Sequence, residues 1–279
     1  MSCRAGIKGK EEKRGILLKA KPTSIFIAGK AADGAFTKLI VLGVGLVGLS
    51  ILLLVVRKKI NYKGGVNYMN HHYQIIDREN WKRNMHCQIF QNSLEPQYGI
   101  SLELDITHFL KWLKEQHYAF TFALIYAIGK CANEIEEFRY RFLDGNVVLY
   151  DTVHTSFTYL NQETELFKFV NVPMQESMAA YIKAATEQAE GQKEYFTGPP
   201  ANDVFLFSPI PWISYTHISH TISGNKENAS PTFDWGKYFE RDGKVLLPFS
   251  VQVHHSFVDG IHVGKLVEKL QTYLNSVQL

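Results

Sequence analysis

The sequence LLPFSVQVHHSFVDGIHVG at residues 246–264 predicts a strand that is followed directly by a helix. Valines alternate with polar residues before the two histidines, as on a half-buried strand, and apolar residues recur at helical spacing after them. His254 and His255 therefore lie where the strand ends and a short loop begins. Side chains on a loop between two rigid elements are well placed for binding or catalysis.

His255 is a candidate general base, because an imidazole can take a proton from a hydroxyl near neutral pH and return it later. Two alternatives remain open. The pair can be ordinary strand-end histidines, one of them buried and hydrogen-bonded. A metal site can also be drawn from His254, His255, Asp259 and His262, but adjacent strand residues point to opposite faces of a sheet, which disfavours a shared ion.

The longer pattern QVHHSFVDGIHVG, residues 252–264, resembles the active-site signature of the chloramphenicol acetyltransferase family. Its core, His-x-x-x-Asp-Gly, also occurs in dihydrolipoyl acyltransferases and in condensation-type acyltransferases. The resemblance implies that His255 is the catalytic base and that Asp259 is the structural partner of an arginine. That arginine is Arg83, in a Trp-Lys-Arg sequence at the start of a helix.

A second motif, VFLFSPIPW at residues 204–212, resembles the Ser-x-x-Pro-Trp element of the same family. By that resemblance Ser208 is the hydroxyl that stabilises the oxyanion of the tetrahedral intermediate. Phe157 and Tyr159 fall where the family lines its acceptor pocket with aromatic residues, although their alternate spacing on a strand fits core packing equally well. Tyr238 retains the residue that the family directs toward the coenzyme.

Four positions depart from the family pattern. Asp234 stands where a threonine is usual, Ile218 and His220 stand where the family tends to place apolar pocket residues, and Phe90 replaces a common acceptor-contacting tyrosine. A carboxylate near the reaction centre changes the local water structure or favours a polar or cationic acceptor. We therefore expect these positions to set the preference among acceptors, with chloramphenicol or a similar molecule as the substrate.

The resemblance covers nearly all of residues 69–279 and implies an α+β fold of two layers, a mixed sheet covered by helices. It also implies a homotrimer with active sites between subunits, acetyl-CoA as co-substrate, no metal, and acetyl transfer to a hydroxyl as in antibiotic resistance. The rival hypotheses are the catalytic core of a dihydrolipoyl acyltransferase, disfavoured because no lipoyl domain or Ala/Pro-rich linker precedes the motif, and a binding protein without catalysis.

The charge of the chain is divided unevenly along its 279 residues. Residues 1–68 contain 13 Lys and Arg against 3 Asp and Glu, whereas the rest contains 17 against 24 of the totals of 30 and 27. The mildly acidic second part gives no reason to expect nucleic acid as a partner. Three scattered cysteines, Cys3, Cys87 and Cys131, indicate neither a disulfide framework nor a zinc site, which suits a reducing cytoplasm.

Residues 39–56 are almost entirely apolar and precede the basic residues 57–59, so they are about long enough for a membrane anchor with the catalytic domain in the cytoplasm. We prefer another explanation. Codons for Lys-Gly-Gly at residues 63–65 can form a bacterial ribosome-binding sequence upstream of Met69. Residues 1–68 are then translated upstream sequence or a fusion remnant, and the acetyltransferase domain is 69–279. A simple polar linker is the alternative.

The remaining pattern predicts the main elements of the catalytic part. Asn80 is predicted as the N-cap of a helix that carries Trp81 and Arg83, and a long apolar helix is predicted from about 119 to 138. A hairpin turn is predicted at Asp144-Gly145-Asn146, and an amphipathic helix from Pro173 to about 192.

Overall fold

The computed structural model describes residues 72–198, 201–220 and 225–278. These residues form ten strands: β1 (Tyr73–Ile75), β2 (Gln97–Asp105), β3 (Tyr140–Leu143), β4 (Asn146–Tyr150), β5 (His154–Leu160), β6 (Phe167–Val172), β7 (Val204–Phe207), β8 (Thr232–Trp235), β9 (Phe239–Arg241) and β10 (Lys244–His254). The helices are α1 (Asn84–Gln91), α2 (Thr107–Gln116), α3 (Phe120–Asn133), α4 (Met178–Gly191) and α5 (Gly260–Ser276), with a 3-10 turn at Glu136–Arg139.

The main sheet is mixed and runs β2-β10-β8-β7-β5-β6, with β9 paired to β10. Strand β10 is antiparallel to both neighbours, while β8, β7 and β5 are parallel to one another. A smaller antiparallel sheet runs β1-β4-β3. This mixed sheet with covering helices confirms the predicted α+β fold.

The two faces of the main sheet differ in character, because successive side chains on a strand point to opposite sides. One face is aromatic and packs against helices, with Phe122 of α3 lying 5.5 Å from Phe157 between ring centroids. The other face is polar where the central strands meet. Its register pairs Ser250 with Asp234 and Gln252 with Thr232. The polar face is therefore the one that can recognise a ligand.

Helix α3 is the central helix of the core, and ten of its fourteen residues are buried. A helix that is apolar on all sides is expected to be surrounded by protein. It ends at Asn133 rather than near 138, because Ile135 has an extended backbone and the Asn133 side chain donates to the Gly129 and Val153 carbonyls. The predicted helix is thus split into α3 and the 3-10 turn.

Two local predictions have different outcomes. The hairpin is confirmed, since Asp144 and Gly145 join β3 to β4 with φ of 49° and 78°. The N-cap prediction at Asn80 is wrong, because α1 begins at Asn84 and the Asn80 side chain instead donates to Asp77 Oδ2 at 2.6 Å.

Within the described ranges, none of the helices combines the length and the apolar character that a membrane span requires. The apolar stretch 39–56 lies outside the described residues. The anchor hypothesis for that stretch stays a prediction.

Gly236 follows β8 where the chain at 210–215 returns across the strand. A Cβ at this position would lie 2.7 Å from the Ile213 carbonyl oxygen and 3.0 Å from the Tyr215 ring. We expect Gly236→Ala to lower the free energy of unfolding in urea by about 1–3 kcal/mol, because the backbone must move.

The matched control is Gly264→Ala in α5, where an added Cβ meets nothing within 4 Å. This variant should be more stable than wild type by about 0.5–1 kcal/mol, since alanine loses less conformational entropy in a helix. Equal stability of the two variants would contradict the close packing at Gly236.

Candidate active site

Arg83 clamps the loop that follows His255. Its guanidinium binds both oxygens of Asp259, with Nη1 to Oδ2 and Nη2 to Oδ1 each at 2.7 Å. The same group donates through Nε to the Ser256 carbonyl at 2.9 Å and through Nη2 to the His255 carbonyl at 3.3 Å. One side chain from the start of α1 thus holds both ends of the loop. A bidentate pair between an arginine and a carboxylate is stronger than a single hydrogen bond between the two groups.

Asp259 is also the N-cap residue of α5. The His262 backbone N–H donates to the Asp259 carbonyl at 2.9 Å, and Nδ1 of His262 accepts from the Asp259 backbone N–H at 2.9 Å. His262 Nε2 lies 3.3 Å from Glu137 Oε1. The Arg83 guanidinium holds the pKa of the Asp259 carboxyl below its ordinary value, so the clamp is charged at neutral pH.

The His255 imidazole is held between two aromatic rings. Phe90 stacks on it with ring centroids 3.8 Å apart and planes within 4°, and Tyr98 packs at 4.7 Å. The His255 backbone N–H donates to the Pro96 carbonyl at 2.8 Å. Nδ1 is buried and lies 3.1 Å from Asp259 Oδ1 without hydrogen-bond geometry, yet the side chain is 35% exposed. The exposed part therefore lies on the side of the ring away from Nδ1.

His254 has a different environment, as expected for an adjacent strand residue. It is 2% exposed. Its Nδ1 accepts from the Ser256 backbone N–H at 3.1 Å, and its Nε2 donates to the Lys226 carbonyl at 2.9 Å. Both ring nitrogens are therefore used in the loop structure. The two histidines differ in exposure and in their partners.

Ser208 lies at the end of β7 on the polar sheet face and lines two cavities. The larger one, of about 590 Å³, also contacts Phe120, Tyr159 and Trp212. The smaller one, of about 320 Å³, also contacts His220. His255 lines neither of these cavities.

Ser208 and His255 lie far apart within one chain. The Ser208 backbone N–H donates to the Phe233 carbonyl, and Phe233 pairs with Val251 of β10. Ser208 is thus about two strand spacings away from Val251, and His255 lies four residues beyond Val251. The two residues are therefore on the order of 15 Å apart. The two side chains of one chain therefore cannot contact the same carbonyl group.

The other predicted pocket residues are distributed around these features. Phe157 is 1% exposed, packs on Phe122 and lines neither cavity, so it lies in the core. Tyr238 is 43% exposed and contacts Phe120, which places it beside the larger cavity. Ile218 is partly buried and lines neither cavity.

Asp234 is completely buried and binds His220, with Oδ2 to Nε2 at 2.7 Å. Burial raises the pKa of the Asp234 carboxyl, because it disfavours the charged form. The bond to Asp234 raises the pKa of His220 above its ordinary value. Sequence reasoning had noted both residues as departures, but not as a pair.

Two roles were missed from the sequence, the contact of Tyr98 with His255 and the capping of α5 by His262. Tyr98 packs on the imidazole, and burial raises its pKa to about 12, so its hydroxyl stays neutral and donates to the Val258 carbonyl. No sequence signal separates Tyr98 from an ordinary strand tyrosine. His262 is three residues after an aspartate N-cap, where a capping-box partner belongs, and that spacing could have identified it.

The fold is one found in enzymes that transfer acyl groups. A solved dihydrolipoamide acetyltransferase from Azotobacter vinelandii matches with a TM-score of 0.53 over 69% of this chain and 86% of that chain, at 16% identity, which is a likeness of fold alone. A solved chloramphenicol acetyltransferase matches more closely, with a TM-score of 0.67 over 73% of this chain and 100% of that chain, at 28% identity.

Sequence relatives agree with this structural match. The family model for chloramphenicol acetyltransferase matches residues 69–271. The chloramphenicol acetyltransferase of Klebsiella sp is 31% identical over 74% of this chain and 95% of its own length, and that of Streptomyces acrimycini is 30% identical over 71% and 93%. The chain belongs to the chloramphenicol acetyltransferase family and is an acyltransferase. The resemblance seen in the sequence is confirmed.

The clamp should contribute strongly to stability. Arg83 and Asp259 side chains are only 11% and 28% exposed. Arg83→Met leaves the carboxylate without its partner, so we expect the free energy of unfolding in urea to fall by about 3 kcal/mol. The control is Arg241→Met, which breaks the exposed pair with Glu103 and should cost less than about 1 kcal/mol. Similar losses in both variants would contradict the clamp.

Acid should destabilise the protein through His254 and His262. Nδ1 of each ring accepts a backbone N–H, so each must be neutral, and burial lowers both pKa values. Glu137 and Asp259 raise the pKa of His262 and so oppose the shift, whereas Arg83 and Lys265 lower this pKa further. The contribution of these histidines to the free energy of unfolding is therefore fully present above the pKa of an unfolded histidine, about 6.5. It decreases as the pH falls below that value, by up to about 1.4 kcal/mol per pH unit for each histidine.

Urea unfolding between pH 8 and pH 5 measures this slope. His262→Gln keeps a side chain that can accept from the Asp259 N–H but does not titrate, so the slope should fall by about half. An unchanged slope in His262→Gln would show that His262 does not remain neutral in the cap.

Proposed function

We propose that this protein transfers acetyl from acetyl-CoA to a hydroxyl of chloramphenicol or a similar small molecule, with His255 as the general base. Membership of the chloramphenicol acetyltransferase family supports both substrates. The assignment of His255 as the base rests on the contacts that hold its side chain in place. The ring is stacked on Phe90, its loop is clamped by Arg83, and its side chain stays partly open.

The chemistry follows from this arrangement. The open edge of the His255 ring takes the proton of the acceptor hydroxyl, and the oxygen attacks the thioester carbonyl. The Ser208 hydroxyl donates to the oxygen that becomes negative in the tetrahedral intermediate. When the carbon–sulfur bond breaks, His255 returns the proton to the departing thiolate. Arg83 and Asp259 position the imidazole and exchange no proton.

The separation of Ser208 from His255 supports a site built from two copies of the chain. Because the two side chains of one chain lie on the order of 15 Å apart, His255 of one copy must face Ser208 of the next. We propose the homotrimer, in which each of three equivalent contacts forms one site. The polar cavity at Ser208 then holds the acceptor.

Activity is measured as release of thiol from acetyl-CoA in the presence of chloramphenicol and a panel of hydroxyl compounds. His255→Ala should lose nearly all turnover, because a positioned base contributes about 10²–10⁴-fold. Ser208→Ala should lose about 10²–10³-fold. The exposed residues His217 and Ser214 provide control variants to alanine, which should keep wild-type rates. Equal turnover in all five proteins would refute the mechanism.

A complementation experiment tests the shared site. His255→Ala and Ser208→Ala chains with different affinity tags are coexpressed, and mixed oligomers are isolated through both tags. Every mixed trimer contains one contact at which an intact His255 meets an intact Ser208, so about one third of wild-type activity should return. Mixed oligomers that stay as inactive as either parent would place both residues of a site in one chain.

The physiological proposals depend on the same activity. Acetyl-CoA is supplied in the cytoplasm, so we place the domain there and propose antibiotic resistance as its role. The family match begins at residue 69. The start at Met69 stays a prediction, which intact mass of the natively expressed protein would test, and a product in the membrane fraction that retains Met1 would refute it.

A further inference from the structure

The two cavities that meet at Ser208 differ in chemistry. The larger cavity is lined mostly by apolar side chains, including Phe120, Phe122 and Trp212. The smaller cavity has apolar lining residues as well, but it also presents many polar side chains, which include Gln97, Thr158, His220, Asn228, Thr232 and Gln252. Ligand sites in proteins are usually lined mainly by apolar groups. The smaller cavity therefore offers a ligand several hydrogen-bond partners beside an apolar surface.

Asp234 lies directly behind this lining. The Ser208 backbone N–H donates to the carbonyl of Phe233, which places Ser208 beside Asp234 on neighbouring strands. Asp234 is 0% exposed. Its Oδ2 accepts from His220, whereas its Oδ1 is buried and has no hydrogen-bond partner among the described residues. A buried carboxylate in this state is costly unless a positive charge lies nearby.

Permanent positive charge is missing from the described part of the cavity wall. Among the described residues that line the smaller cavity, none is lysine or arginine. The charge that acts on Asp234 comes from His220. The carboxylate can therefore be balanced in two ways, by a proton on His220 or by a cation on the ligand.

The bond between His220 and Asp234 determines how a ligand would meet the pair. Because Nε2 faces the carboxylate, the proton of a neutral His220 ring lies on Nε2, and Nδ1 keeps its lone pair. His220 is 25% exposed and is the member of the pair that lines the cavity. A protonated amine could donate to Nδ1 and balance the buried carboxylate through the ring.

We propose that the smaller cavity selects hydroxyl acceptors that carry a protonated amine, and that the pair of His220 and Asp234 is the determinant of this selection. The substrate class is thus the amino alcohols. This inference rests on the proposed function for the identity of the cavity as the acceptor site. The Nδ1 atom of His220 accepts from the ammonium group, while the acceptor hydroxyl lies toward Ser208.

The test compares two ligands of the same shape and different charge. The probes are 2-dimethylamino-1-phenyl-1,3-propanediol, which is protonated at neutral pH, and its neutral 2-isopropyl analogue. The tertiary amine prevents stable N-acetylation. Calorimetry gives a Kd for each probe, and thiol release from acetyl-CoA gives kcat/KM. Both are measured on the full chain at pH 7.5.

We expect wild type to favour the cationic probe by at least about tenfold in Kd, which corresponds to about 1.4 kcal/mol. Asp234→Asn keeps the shape of the side chain and removes its charge, so the preference should disappear. The matched control is Asp242→Asn, which removes one exposed charge in the β9–β10 turn and should keep the wild-type ratio. Asp234→Thr provides a second variant if the asparagine protein does not fold.

The outcomes separate this inference from the proposed function. A wild type that binds the two probes alike, or binds neither, overturns the inference, as does a preference that survives in the folded Asp234 variants. A wild type that transfers no acetyl to any acceptor, including chloramphenicol, overturns the proposed function. In that case the Kd ratio still tests the role of His220 and Asp234.

Discussion

Arg83 makes the contact on which the rest of the site depends. A guanidinium has five N–H donors in a rigid plane, and this one uses them on two carboxylate oxygens and two loop carbonyls. Because Asp259 is also the cap of α5, the same contact fixes the beginning of that helix. These contacts hold the loop between β10 and α5 at both ends and so restrain the imidazole that it carries. A lysine could not make the same set of contacts, since it lacks the planar fork.

The main sheet supplies the second constraint. Its aromatic face is filled by α3 and the neighbouring helices, so the polar face is the one left for recognition. Ser208, Asp234 and Gln252 lie on that polar face because they alternate with buried aromatic and aliphatic residues. The alternation that builds the core thus also places the polar groups of the candidate acceptor site. The same alternation of apolar and polar residues therefore serves both the fold and the candidate site.

The distribution of residues also gives a physical reason for an assembly. His255 lies at the end of β10, and Ser208 lies two strands away and further back along the sheet. Under the proposed mechanism, one copy would offer the base without an oxyanion donor, and the next copy would offer the donor with its cavity. If the proposed site between subunits forms, catalysis depends on assembly, because a free chain does not bring His255 and Ser208 together.

The sequence by itself determined the class of fold and the family, and it identified Arg83, Ser208, His255 and Asp259 as candidate site residues, because their motifs are local and read in order along the chain. The hairpin at Asp144-Gly145 was likewise predictable, since it needs residues that tolerate positive φ. The end of α3 at Asn133 was not, because the Asn133 side chain forms a tertiary hydrogen bond to the Val153 carbonyl. The start of α1 at Asn84 was not, because the Asn80 side chain bonds locally to Asp77 instead of capping the helix. Only the tertiary structure decided that Phe90 and Tyr98 enclose the imidazole, that His220 binds Asp234, and that Ser208 lies remote from His255. Each of these depends on strand order and on side chains distant in sequence, which no local pattern records.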